Sequence, residues 1–430
     1  MYSILSGTTA QDYANNLLAI QKRGGHKKYL VGGAVRDILL NKHPHDKDYV
    51  IFGATPQQML TDGYKQVGKD FPVFLDKNGN EHALARKEIK TGDKHTEFEF
   101  YFGPDVSMTE DVQRRDFTCN ALVCDETDEI IIDLVGGSND IKNKILHHVN
   151  DEHFGEDPLR ILRMCRFAAK LDFEVAPETM SLAQKMVAAG MIKHLTPERV
   201  WKEFESALNT QNFDKFIRTM HQCGALAEIL PDIENMITTE ERTDKHPEGN
   251  TFEHTMLVIK EGKRLSPHIK FALLVHDVGK TLTPKESQPR HFGHDKNAAP
   301  LIDKICNKLH VPNQYRHFAK LFAKNHMKFH NVNVMRRNTL VNFLEEISDQ
   351  FRNKRQLIDF IRACRCDSFG RGGETSADDA ALFSAAAERC LQNYHIQSKI
   401  HARDLPNFET LPKDNRIKDI LFNYRISKIK

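Results

Sequence analysis

The sequence predicts an α+β protein, a head of mixed sheet and helices followed by all-helical domains, and three features lead there. Between residues 28 and 150, short β-branched runs such as Glu129-Ile130-Ile131-Ile132-Asp133-Leu134 alternate with glycine turns and few long helical periods. From Asp157 the apolar spacing turns helical, with Leu159, Leu162, Phe167 and Leu171 as candidates for burial. A polar stretch from Thr238 to Asn250 interrupts that periodicity before it resumes to about residue 395. At 430 residues the chain is too long for one core and suggests roughly two to four domains.

Taken in order, residues 1–27 form an extension without evident chemistry, in which Thr9 to Arg23 suits an amphipathic helix with Tyr13, Leu17 and Ile20 on its apolar side. The head spans 28–150 and a helical neck and body 151–237, where Thr196-Pro197-Glu198-Arg199 opens a helix through Trp201, Phe204 and Leu208. A further helical domain spans 250–395, and 396–430 is a basic tail with six Lys or Arg against two Asp from Lys413 onward. Such a tail is a local surface for RNA or a solvated face. The composition, 40% hydrophobic and 28% charged, is that of a soluble globular protein. No apolar run approaches the ~18 residues that span a bilayer, and no basic-then-apolar leader opens the chain, so the expectation is cytoplasmic with no membrane partner. Eight scattered cysteines without CxxC spacing predict reduced, mostly buried thiols. A net charge of +2 leaves any grip on nucleic acid to local basic patches.

The chemistry begins with Asp46-Lys47-Asp48, which follows Tyr29-Leu30-Val31, a Gly32-Gly33 turn and a helix expected over Ala34 to Leu40. In an extended strand, aspartates two apart point the same way and can grip one hard cation, such as Mg2+. The glycine turn and the N–H groups of the following helix would face an anion, with Arg36 in its first turns ready for a triphosphate. Gly-Gly turns and Asp-x-Asp pairs are each common; the ordered combination of strand, turn, helix and Asp48-Tyr49-Val50-Ile51-Phe52 strand is far more specific.

That order resembles the head of the polymerase-β-like nucleotidyltransferases. Arg114-Arg115-Asp116-Phe117-Thr118-Cys119-Asn120-Ala121 is similar to the RRDxxxNA element, and Glu156-Asp157-Pro158-Leu159-Arg160-Ile161-Leu162-Arg163 to the EDxxR element, of class II tRNA nucleotidyltransferases. These are the CCA-adding enzymes and their poly(A) polymerase relatives, and the resemblance runs from about Tyr29 to Asp232. It implies untemplated addition of CCA to tRNA from CTP and ATP with two magnesium ions, Asp46 and Asp48 being the catalytic metal ligands. Relatives often add a third carboxylate, for which Glu81 is the candidate. Gly33, Arg36, Arg115, Asp116 and Arg163 would bind the nucleotide, Gly33 by allowing close backbone approach and Asp116 by orienting Arg115 or touching the sugar.

The resemblance assigns base reading to Asp157 and Arg160, which at i and i+3 of a helix would present an acceptor and a donor fork together. Cytosine and adenine both offer an amino donor beside a ring-nitrogen acceptor; uracil and guanine place a carbonyl oxygen where the amino group belongs. The same residues suit a helix N-terminus, where Glu156 and Asp157 would complement the dipole and Pro158 occupy the first turn. Both readings can hold at once.

The carboxyl half carries His254, then Phe271 to Lys280 with an adjacent His276-Asp277, then His291 and His294, His326 and His330, and Asp367. A His-Asp pair emerging from an apolar helix is costly to bury unless a charged partner satisfies it. This order resembles the HD phosphohydrolase superfamily, which maps metal ligands onto His254, His276, Asp277 and Asp367, with His294 and His326 available for a second ion or a substrate phosphate. Mixed imidazole and carboxylate donors suit a transition metal such as Ni2+, Co2+ or Mn2+. Activity on 2′,3′-cyclic or 2′-phosphate groups is what that resemblance implies. Rival readings are a bacterial poly(A) polymerase, a CC- or A-adding specialist, and an HD phosphohydrolase with an inactive RNA-binding head. A monomer or homodimer is expected.

Overall fold

The computed structural model describes every residue except 1, 45, 68–72, 91–97, 245, 413, 415 and 430, so Lys413 at the start of the basic stretch lies outside the described residues. The chain folds as two units, Met1–Leu195 with Gln222–Ala225, and Thr196–His221 with Leu226–Lys430.

The first unit is built on an eight-stranded mixed sheet. Its strands are β1 (Ser3–Ser6), β2 (Lys27–Val31), β3 (Asp48–Phe52), β4 (Lys65–Val67), β5 (Val73–Leu75) and β6 (Glu81–Leu84), with two later strands, Val123–Asp125 and Ile130–Asp133. The order is β1, Ile130–Asp133, Val123–Asp125, β2, β3, β6, β5, β4. Only the β1 and Ile130–Asp133 pair and the β3 and β6 pair run parallel. Alternation along β3 explains why the sheet is covered on both faces. Val50 and Phe52 join a cluster with Tyr29, Val31 and Val123, while Ile51 joins Met59, Phe74 and Leu84.

The segment 2–27 packs onto this sheet, since β1 pairs with Ile130–Asp133 and the helix α1 (Gly7–Gln21) buries Ala10, Ala14 and Leu17 in the first cluster. The apolar face expected for it is corrected in one place. Ile20 is 47% exposed. The buried stripe follows 10, 14, 17 and 21, and Gln21 turns inward because its amide donates to the Pro104 and Val106 carbonyls. The helix α2 (Gly33–Leu39) follows β2 directly.

In the second unit, the helix Pro197–Leu208 forms as the Thr-Pro-Glu-Arg signal indicates, with Trp201, Phe204 and Leu208 buried. The helix Pro267–Val275 is buried from Ile269 through Val275, which makes it the central rod. Even Lys270 is buried there, its ammonium donating to the Leu208 and Thr210 carbonyls. The polar stretch 238–250 does not break the packing of this unit, because Glu240 bridges to Asn250 and Glu241 is buried against Thr251 and Lys280. All eight cysteines are buried thiols.

Candidate functional site

At the end of the head's sheet, Asp48 opens β3 while Asp46 lies in the bend before it, so the pair is not two residues of one strand as expected. They are nevertheless electrostatic neighbours: burial and the charge of Asp46 raise the Asp48 carboxyl above its ordinary range, with Arg115 opposing. The parallel register sets Asp48 beside Glu81 of β6, and paired residues of neighbouring strands project to one face. Three carboxylates therefore share one sheet end. Two repelling carboxylates with hard oxygen donors fit a divalent cation such as Mg2+.

The arginines divide into roles the sequence did not distinguish. Arg36 is only 3% exposed. Its guanidinium donates to the Asp37 carboxylate and, at 2.6 Å, to Asn120 Oδ1, and it lies 5.8 Å from the Phe167 ring, so it ties α2 to the RRDxxxNA loop and does not stand open to a triphosphate. Gly33 serves that packing, since a Cβ there would meet the Arg36 guanidinium at 3.2 Å. Gly32 takes the positive φ of 70°. Arg115 lies close enough to Asp48 to lower its carboxyl, and it is held by Asp111 at 2.9 Å and by the Asn120 carbonyl. Asp116 pairs with Arg163, accepting from its Nε at 2.9 Å, and not with Arg115. Asp111 was missed from sequence. It sits one helical turn before Arg114 and Arg115, at the i−3 and i−4 positions from which a carboxylate meets both.

The EDxxR segment is a junction. After α3 (Pro56–Thr61), α4 (Met108–Gln113) and α5 (Gly137–Asn143), the chain forms α6 (Asp151–Glu156) and α7 (Leu159–Leu171). Asp157 lies between α6 and α7 in extended backbone, where its Oδ1 accepts from the Leu159 N–H at 3.0 Å. It is thus a capping residue and not the first member of a helical i, i+3 pair. Arg160 donates to the His153 and Arg114 carbonyls, which holds α7 against the RRD segment.

The second unit gathers the expected histidines and aspartates. His254 comes from the helix Thr251–Glu261, His276 and Asp277 follow Pro267–Val275, His294 opens His294–Leu309, His326 lies in Asn313–Phe329, and Asp367 in Lys354–Phe369. Asp277 Oδ2 is 3.2 Å from His276 Nε2 and 3.9 Å from His254 Nε2. Its Oδ1 is 3.5 Å from both His294 Nε2 and His326 Nε2. Asp367 Oδ1 lies 3.3 Å from His254 Nε2 and 3.5 Å from His276 Nε2. His276 Nε2, Asp277 Oδ1 and His294 Nε2 are buried without a well-formed hydrogen bond. Orphaned polar atoms converging on one point fit a metal ion, and two of the resulting groups, His254 with His276 and Asp277, and Asp277 with His294 and His326, have ligand atoms close enough to share one.

Burial opposes charge on both carboxyls, yet the imidazoles, together with Lys280 beside Asp277, hold Asp277 and Asp367 well below the usual carboxylate range. Burial likewise disfavours charge on His276, but the two carboxylates overcome it and push it up to about 10. Lys280, Glu241 and Glu248 complete the centre and were not singled out from sequence; the only signal for Lys280 was its place at i+3 from Asp277. His291 Nε2 donates to the Glu240 carbonyl. The centre opens into a cleft of roughly 690 Å³ lined also by Arg242, Arg290, Phe292, His330 and Arg371.

Comparison with known proteins first defines a class. Residues 28–147 match the poly A polymerase head domain, and residues 172–237 match the probable RNA and SrmB-binding site of polymerase A. The architecture is the α+β one the sequence predicts, a polymerase-β-like head followed by a helical body. Along nearly its whole length the chain then shares its fold with solved CCA-adding enzymes. The Thermotoga maritima CCA-adding enzyme complexed with tRNA matches with a TM-score of 0.63 at 16% identity, over 98% of this chain and 92% of that one. The Bacillus stearothermophilus CCA-adding enzyme in complex with CTP matches at 0.61 and 20%, over 98% and 93%. A CCA-adding enzyme in complex with ATP matches at 0.62 and 16%, over 99% and 90%. Among the described residues, no helix is long and apolar enough to cross a membrane.

Proposed function

We propose that this protein is a CCA-adding tRNA nucleotidyltransferase that builds the tRNA 3′ end from CTP and ATP. The observation that carries the reading is the repelling Asp46 and Asp48 pair with Glu81 in register and Arg115 close to Asp48, in a head whose fold is shared with CCA-adding enzymes. Magnesium held by Asp46 and Asp48 would supply Lewis-acid activation of the 3′-hydroxyl and charge neutralisation of the phosphates. Arg115, oriented by Asp111, would add a guanidinium for the triphosphate, and Asp116 would hold Arg163 for the nucleotide. Base choice falls to Asp157 and Arg160. Each Arg160 Nη nitrogen carries two N–H groups, so a guanidinium already bound to carbonyls retains the chemistry to donate toward a base. The functional divisions that go with this reading are a head at 28–150, a base-selecting and tRNA-binding neck and body at 151–237, and a cytoplasmic location. The test is incubation with tRNA transcripts ending in the discriminator base, in C and in CC, with each NTP separately. A poly(A) polymerase would extend all three with ATP alone, and a CC- or A-adding specialist would stop after or begin at CC.

A second activity is favoured by the orphaned atoms of the second centre. Residues 250–395 form an HD-type phosphohydrolase in this reading, with His254, His276, Asp277 and Asp367 as ligands and His294 and His326 toward a second ion. A bound Mn2+, Co2+ or Ni2+ would supply the activated water and polarise a phosphate oxygen. Arg290 and Arg371 at the cleft are placed to orient an anionic substrate. Release of phosphate from 2′-phosphate or opening of 2′,3′-cyclic phosphate, metal by metal, tests it.

A further inference from the structure

Of the histidines that turn Nε2 toward the second centre, His254, His276, His294 and His326 must each hold a proton on Nδ1 and leave the Nε2 lone pair free to serve as ligands there. Three do so through the backbone of their own segment. His276 Nδ1 lies 2.7 Å from the Leu273 carbonyl, His294 Nδ1 2.7 Å from the His291 carbonyl, and His326 Nδ1 2.9 Å from the Ala323 carbonyl, all at i−3. His254 is held differently. Its Nδ1 lies 3.0 Å from Glu248 Oε1, a carboxylate whose side chain is only 4% exposed. The same oxygen is 3.1 Å from His246 Nδ1, and Glu248 Oε2 accepts from the Gly372 N–H at 3.1 Å.

We infer that Glu248 is a positioning residue for the second metal centre: by accepting from His254 Nδ1 it fixes that imidazole as an Nε2 ligand. The inference rests on reading the centre as a metal site. An ionised carboxylate only accepts, so the Nδ1 that faces Glu248 carries a proton, and Nε2, 3.3 Å from Asp367 and 3.9 Å from Asp277, is the atom left to meet an ion between them. The Gly372 contact holds the carboxylate in place. It also ties ligand orientation to the 370–373 segment, which carries Arg371 to the cleft. His246, Glu248 and His254 form a third ligand-like group. Both imidazoles meet the same Glu248 oxygen, at the 3.0 and 3.1 Å separations of N–H···O hydrogen bonds.

The full-length protein with Mn2+ as probe provides the test, read by calorimetric affinity and stoichiometry, alongside 15N shifts of selectively labelled histidines in the metal-free state. Glu248→Ala should weaken Mn2+ binding about 10- to 100-fold and release His254 from its Nδ1–H tautomer. Glu248→Gln, whose amide oxygen still accepts, should restore the tautomer and most of the affinity. Equal Mn2+ affinity in Glu248→Ala and wild type, with the tautomer unchanged, would overturn the inference while leaving the metal site standing. Loss of one whole equivalent with the rest unchanged would overturn it in favour of a separate ion at His246. Absence of binding by the wild type with Mn2+, Co2+ and Ni2+ would remove the metal reading first and this inference with it.

Discussion

Removing the carboxylate of Asp111 should destabilise the head and slow nucleotide addition together. Asp111 has no solvent exposure. It accepts from Arg114 Nε at 3.1 Å and Nη2, from Arg115 Nε at 3.3 Å and Nη2 at 2.9 Å, and from the Arg86 N–H at 3.4 Å. Breaking a buried ion pair from one side costs about 3–5 kcal/mol, because the remaining charge stays desolvated. Arg114 and Arg115 keep 14% and 15% of their side-chain surface exposed, so part of that cost is relieved and Asp111→Ala should lose about 3 kcal/mol. Burial alone would raise this carboxyl, but the two guanidiniums hold it far below the usual range. A depressed folded pKa gives stability that is present above the unfolded value of about 3.9 and is lost as pH falls toward the folded one. The gap between wild type and Asp111→Ala should therefore shrink by about 1.4 kcal/mol per pH unit below about pH 3.9. Urea unfolding of the head transition at pH 7 and pH 3 measures both quantities, and single-turnover CMP addition measures the second effect, expected at about 100-fold from a displaced Arg115. A loss under about 1 kcal/mol, or a gap that does not narrow at pH 3, would refute the reasoning.

Asp46→Ala or Asp48→Ala should abolish nucleotide addition and leave tRNA binding, measured by filter retention, close to wild type; CMP addition near the wild-type rate would place the metal elsewhere. Asp157→Ala or Arg160→Ala should erode the preference for CTP and ATP over UTP and GTP by one or two decades, worth about 1–3 kcal/mol, in competition assays. Slowing with selectivity unchanged would reduce both residues to holding the α6–α7 junction. His276→Ala or Asp277→Ala should eliminate metal-stimulated phosphohydrolase activity nearly completely while CCA addition survives, and chelation of the wild type should do the same to the hydrolase until Mn2+, Co2+ or Ni2+ is restored. Simultaneous loss of addition would show that the two chemistries are not separable.

Local rules made much of this protein legible before folding. A short run of aromatic and β-branched residues, Tyr49 to Phe52, suffices for β3, and a Thr-Pro opening followed by helical apolar spacing suffices for Pro197–Leu208, because both signals reside within one element. The ordered His-Asp and late Asp pointed to a common centre, and they converge there because a buried imidazole or carboxylate requires a partner. Which partner each charge finds was decided by packing. Arg36 reads as a phosphate ligand until α2 turns it against Asn120 and Phe167, 84 and 131 positions away respectively by sequence number, and Asp116 reads as a neighbour of Arg115 until α7 brings Arg163 to it. Glu241 and Glu248 sit in a stretch whose polarity predicts solvent, yet both side chains are buried by Lys280 and by His246 and His254. Sequence polarity records how much water a residue would prefer in isolation, whereas the pairing of charges across distant elements is a through-space energy that exists only once those elements have packed.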